Sequence, residues 1–159
     1  MSIADEIDYS GKSKSQLIER IRELEDGEAA KKSVLLQAIL DASPAFISLR
    51  DIEGRFIFTN DLLNTEMKTP PEKSAGKTPT DIFGVVAGDT VETLVMEVIK
   101  SEQPVFQREI KSARREGRYF SYSVVPMFSD DGEISSVLAI GQDITNQKHI
   151  EGELAQKTA

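Results

Sequence analysis

The sequence predicts an α+β domain, an antiparallel sheet with helices on one face, and three observations carry that reading. Two β-rich runs, Tyr119–Val125 and Ile134–Ile140, bracket the turn Ser129-Asp130-Asp131-Gly132. Glycine there takes positive φ at little cost, so the pair reads as a long hairpin. Before it, Val91, Leu94, Val95, Val98 and Ile99 form an apolar stripe wide enough to lie on a sheet. After it, the pattern turns polar and helix-favouring from Thr145. Elements in the order strand, strand, short helices, long helix and three strands lack regular βαβ alternation, which favours antiparallel pairing.

Taken in order, residues 1–14 read as a flexible terminus and 15–43 as a helical segment. Leu17, Ile21 and Leu24 fall at i, i+4 and i+7 between charged neighbours, a narrow seam of the kind a coiled coil buries. They are the expected dimer contact, although a helix packed on its own domain would show the same seam. Gly27 reads as a kink or joint, and a second run carries Leu35, Leu36, Ile39 and Leu40. Pro44 stops that helix near Ser43.

Residues 44–145 form the main domain. Phe46–Arg50 and Arg55–Thr59 are strands around the turn Asp51-Ile52-Glu53-Gly54, and Asn60 is placed to cap a helix over Asp61–Met67. Pro70-Pro71 breaks it, a small turn follows at Thr80–Phe83, and the long helix starts near Asp89. Pro104–Ala113 is the third strand; the fourth halts at Pro126. Residues 146–159 begin an exit helix.

The totals exclude several classes. At 159 residues with 39% hydrophobic and 29% charged, the chain has ordinary globular composition. A formal charge of −8 argues against a nucleic-acid groove. No apolar run approaches a membrane span, and zero cysteines removes thiolate catalysis and fits the cytoplasm. The single histidine, His149, stands on the exit helix, so neither a triad nor a zinc site can be assembled. No enzymatic role and no metal site are expected.

Asp51-x-x-Gly54-Arg55-Phe56 closed by Asn60 resembles the first hairpin of the PAS domain family. Glu116-Gly117, Tyr119 seven residues before Pro126, and Asp131-Gly132 resemble its last hairpin. Asp143-Ile144-Thr145 resembles the terminal motif where the family's last strand becomes a signalling helix. The resemblance covers residues 36–145 and implies a five-stranded antiparallel PAS sheet with an N-terminal helical extension. It further implies a homodimeric sensory module, with the junction Asp143, Ile144 and Thr145 passing a signal to a downstream effector. Family association puts a sensor histidine kinase first and a cyclic-dinucleotide enzyme second. The alternative is a ligand-free dimerisation or docking module that spaces partner domains.

The family's cofactors are expected to be absent. A covalent flavin needs cysteine, and haem needs a core histidine that residues 1–148 lack. A small apolar organic ligand fits better. By the family's alternation, Phe120, Tyr122, Val124, Val137, Ala139 and Gly141 face inward, opposite Leu94, Val95 and Val98. The small trio on the fifth strand leaves room for a hollow to which Tyr122 offers a hydroxyl. A core closed by Phe46, Phe56, Phe58 and Phe120 is the competing arrangement.

Overall fold

The computed structural model describes residues 14–84 and 90–158, in two compact units, Met1–Ala42 and Ser43–Ala159. The expected loose terminus therefore lies, up to residue 13, outside the described residues.

In the first unit, α1 (Lys14–Ala42) is one helix of 29 residues. The joint expected at Gly27 does not occur. A glycine costs a helix about 1 kcal/mol, and good formers on both sides outweigh it here. Continuity has a geometric consequence: at 3.6 residues per turn, Leu35 and Ile39 return to the face of Leu17, Ile21 and Leu24. Leu17, Ile21 and Leu24 are half-buried, and Leu35 and Ile39 are exposed.

The second unit holds β1 (Phe46–Asp51), β2 (Phe56–Thr59), α2 (Asp61–Met67), α3 (Pro71–Ser74), α4 (Pro79–Phe83), α5 (Val91–Ser101), β3 (Val105–Lys111), β4 (Tyr119–Phe128), β5 (Ile134–Asp143) and α6 (Thr145–Thr158). The five strands pair antiparallel in the order β2-β1-β5-β4-β3. The β1–β2 turn forms because Asp51 accepts from the main chain of Glu53 and Arg55, each at 2.9 Å, and Gly54 takes a φ of 83°.

Pro70-Pro71 does not simply break the chain. Pro71 opens α3, where its missing N–H costs nothing. β4 likewise runs past Pro126, which pairs with Val137. β3 leaves β4 at Val124, so beyond that point β4 has an open side where a proline forfeits no ladder bond. The long helix begins at Val91, capped by Thr90; Asp89 lies outside the described residues.

One sheet face packs on α5. Leu94, Val95 and Val98 meet Ile110, Val124, Val137 and Ala139 in the core cluster. Phe46, Ser48, Arg50, Phe120 and Tyr122 share that face and extend it toward α2 and α4. Phe58 does not: it pairs with Leu49 on the opposite face.

Candidate functional site

A cavity of about 260 Å³ lies between the sheet and α2, α4 and the start of α5. Of the nine positions expected around a hollow, Phe120, Tyr122 and Ala139 line it. Leu94, Val95, Val98, Val124 and Val137 are instead at most 2% exposed, packed in the core cluster. Gly141 is occupied in a different sense. It pairs with Tyr122, and a Cβ on it would collide with the Tyr122 ring. The space expected over the small residues of β5 is thus taken by that ring, and the open volume moves toward β1. Burial pushes the Tyr122 phenol up to about 12.

Rigidity at the β1 side comes from Asn60, which is fully buried. Its Oδ1 accepts from Ile47 N at 3.0 Å and from Leu63 N at 3.2 Å, and its Nδ2 donates to Ala45 O at 2.9 Å. One side chain therefore caps α2 and holds it to β1. Phe46 and Phe120 meet edge to face at 5.9 Å, fixing the cavity floor.

Arg50, which no motif singled out, enters from β1 and is 3% exposed. Its Nε donates to Ser48 Oγ at 3.3 Å and its guanidinium lies 4.6 Å from the centre of the Phe56 ring. Among the described residues its buried Nη1 has no hydrogen-bond partner. Burial pushes the guanidinium down to about 10, which leaves it charged at neutral pH.

At the cavity mouth, Glu66 on α2 accepts from Arg115 at 2.6 Å and lies 3.7 Å from Arg118. Arg118 also donates to Asp143, so a chain of charges runs from the cavity to the end of β5. Sequence reading missed this network, because Arg115 and Arg118 sit in a turn whose charges look solvent-directed.

The junction itself differs from a simple cap. Ile144 occupies the N-cap position of α6, its carbonyl accepting from Lys148 N at 2.9 Å. Thr145 is the first helical residue, and its hydroxyl accepts from Tyr119 N at 3.0 Å instead of capping the helix. Ile144 N donates to Tyr119 O at 2.9 Å. Asp143 Oδ1 accepts from Thr145 N at 2.9 Å. Partial desolvation acts to raise the Asp143 carboxyl, but Thr145 and the Arg118 guanidinium outweigh it and hold it below its usual value. Lys148 on α6 pairs with Glu109 on β3. His149, Ile150 and Leu154 are exposed on α6.

Among the described residues no cluster of histidine, cysteine or carboxylates suits a metal ion, and no helix is long and apolar enough to cross a membrane.

The family described as PAS fold matches residues 40–149. The chain is 27% identical, over 92% of its length, to hybrid signal transduction histidine kinase D of Dictyostelium discoideum, of which it spans 10%. Among solved structures, the PAS domain of Bordetella pertussis BvgS superposes with a TM-score of 0.55 at 18% identity, covering 80% of this chain and 97% of that one. A sensory box sensor histidine kinase from Vibrio cholerae gives 0.53 at 18% identity, covering 75% and 97%.

Proposed function

The chain belongs to the PAS fold family, and from that premise we propose that it is a cytoplasmic sensory module, homodimeric through residues 15–43. Residues 44–145 take up the stimulus, a small organic molecule held in the cavity. Residues 146–159 begin the helix that carries the signal to a downstream effector. A histidine kinase is the first candidate for that effector, since the curated relative bears that name. The chain's own role is regulatory, without catalysis.

The observation that supports this reading is the double tie between Tyr119 and the residues that start α6. A shift of β4 against β5, as a ligand beside Phe120 and Tyr122 would cause, moves the first turn of α6 with it. The charges from Glu66 through Arg118 to Asp143 give the cavity mouth a second route to the same place.

The test joins a histidine kinase core after Leu154 and replaces Asp143→Ala. Loss of a cap-type acceptor costs about 0.5–2 kcal/mol, against about 5–15 kcal/mol for a domain. A near-native melting temperature with kinase output fixed high or low is the expected result. A near-native melt with unchanged output would show that the signal leaves by another surface.

A further inference from the structure

We infer that the cavity takes a small organic anion, an aromatic or short alkyl monocarboxylate, with its carboxylate on Arg50 and its body among the aromatic rings.

Arg50 is the reason. A buried charge is ordinarily paired, because taking it out of water without a partner is costly. Arg50 has a hydroxyl on Nε and a ring against its face, but its Nη1 has no hydrogen-bond partner and no carboxylate lies within ion-pair distance among the described residues. Glu92 acts on it electrostatically without reaching ion-pair distance, its two oxygens sharing the single Thr80 hydroxyl at 2.9 and 3.0 Å. Arg50 therefore lines the cavity as a fixed cation that no carboxylate pairs with among the described residues. A carboxylate suits it because a guanidinium offers planar, charge-assisted hydrogen bonds.

The surroundings carry the same sign. Among the described residues the lining holds Arg50, Arg114 and Arg115 against Glu66, a formal +2 in a chain whose total is −8. Glu66 is itself neutralised by Arg115. An anion is thus drawn to this opening and repelled by most of the remaining surface. The rest of the lining is mostly apolar, with Phe46, Phe56, Phe120 and Met67 prominent, which selects an organic body over an inorganic ion. At ~30 Å³ for each water, the volume matches roughly nine waters, or an organic molecule of about that many non-hydrogen atoms.

This inference rests on the cavity being the sensory site, and its test reads binding alone, so it can fail while that reading stands. Titration calorimetry of the full chain with benzoate, phenylacetate and octanoate is set beside the corresponding uncharged amides. At least one acid should bind, with its amide roughly 10- to 100-fold weaker, the worth of a charge-assisted hydrogen bond. Arg50→Met should reduce the acid to the level of its amide, and Arg50→Lys should retain part of the difference. If Arg50→Met does not fold, the acid and amide pairs on the unaltered chain decide. Equal affinity for acid and amide overturns the anion, while leaving a neutral ligand in the cavity. No heat from any of the three acids, or an Arg50→Met chain that binds acid as before, also overturns it.

Discussion

Arg118 donates to Asp143 across the β4–β5 ladder, and the same guanidinium stands 3.7 Å from Glu66 on the cavity mouth. Both partners are about one-third exposed, at 32% and 33%, so the pair contributes little to stability, about 0–1 kcal/mol. Its geometry is what counts. Arg118→Gln should leave the melting temperature within a few degrees of the parent. In a fusion with a kinase core it should weaken the effect of a cavity ligand on output, measured as autophosphorylation with and without that ligand. An unchanged ligand response would leave the main-chain ties at Tyr119 as the whole route.

The Asp143 carboxyl also predicts a pH dependence. Its folded value lies below the usual 3.8, so the folded state favours the ionised form more than the unfolded chain does. Its contribution is fully present above 3.8 and is lost as the pH falls through the depressed folded value. Denaturant titrations of the parent and of Asp143→Asn, taken through this acid range, should converge at low pH. A constant difference between the two would mean that the carboxylate charge is not what holds the junction.

Asn60→Ala should be among the most damaging single replacements. It strands the Ile47 N–H and the Ala45 carbonyl in a buried setting, each orphan costing about 1–3 kcal/mol. A fall of about 2–5 kcal/mol in unfolding free energy with an unchanged denaturant slope is expected. A change below that would mean water replaces the amide.

Fold and junction were legible in the sequence because each rests on local chemistry: the turn at Asp51–Gly54, the Asn60 cap, the α5 stripe and the Asp143-Ile144-Thr145 terminus. The cavity was legible only in part. Along β1, Ile47 and Leu49 alternate with Ser48 and Arg50, a pattern that by hydrophobicity alone points Arg50 to solvent. The structure turns that strand the other way, with Phe46, Ser48 and Arg50 facing α2. Phe56 sets the choice: a register shift in the β1–β2 pairing brings it opposite Arg50. The place of the hollow was missed for a related reason. Glycine at 141 suggests empty space until its cross-strand partner is known to be a tyrosine lying over it.

The continuous α1 sharpens the dimer prediction. Leu35 and Ile39 extend the face of Leu17, Ile21 and Leu24 across about six turns, with Glu28 and Lys31 between the two apolar groups. Removing residues 1–27 should lower the mass found by light scattering at micromolar concentration. If the shortened chain remains dimeric, Leu35→Glu with Ile39→Glu should then dissociate it. A monomeric parent would remove the helix as an interface altogether.

Gly141→Ala tests whether the Tyr122 ring forms a movable wall of the cavity. The glycine has no positive φ, so an alanine meets no backbone strain there; the obstacle is the Tyr122 ring over its Cα. That ring is anchored through Tyr122 Cα in the ladder and flanked by Phe120 at 6.1 Å, so it yields by turning into the open volume. Overpacking of this kind costs about 1–3 kcal/mol, which the fold survives. The ring then takes up space that a ligand needs. The expected outcome is a folded protein with a modestly lower melting temperature that has lost affinity for any molecule the parent binds in the cavity. Tyr122→Phe, which keeps the ring and removes the hydroxyl, separates shape from hydrogen bonding. Full binding by Gly141→Ala would show that the ring moves outward and that the cavity lies clear of it.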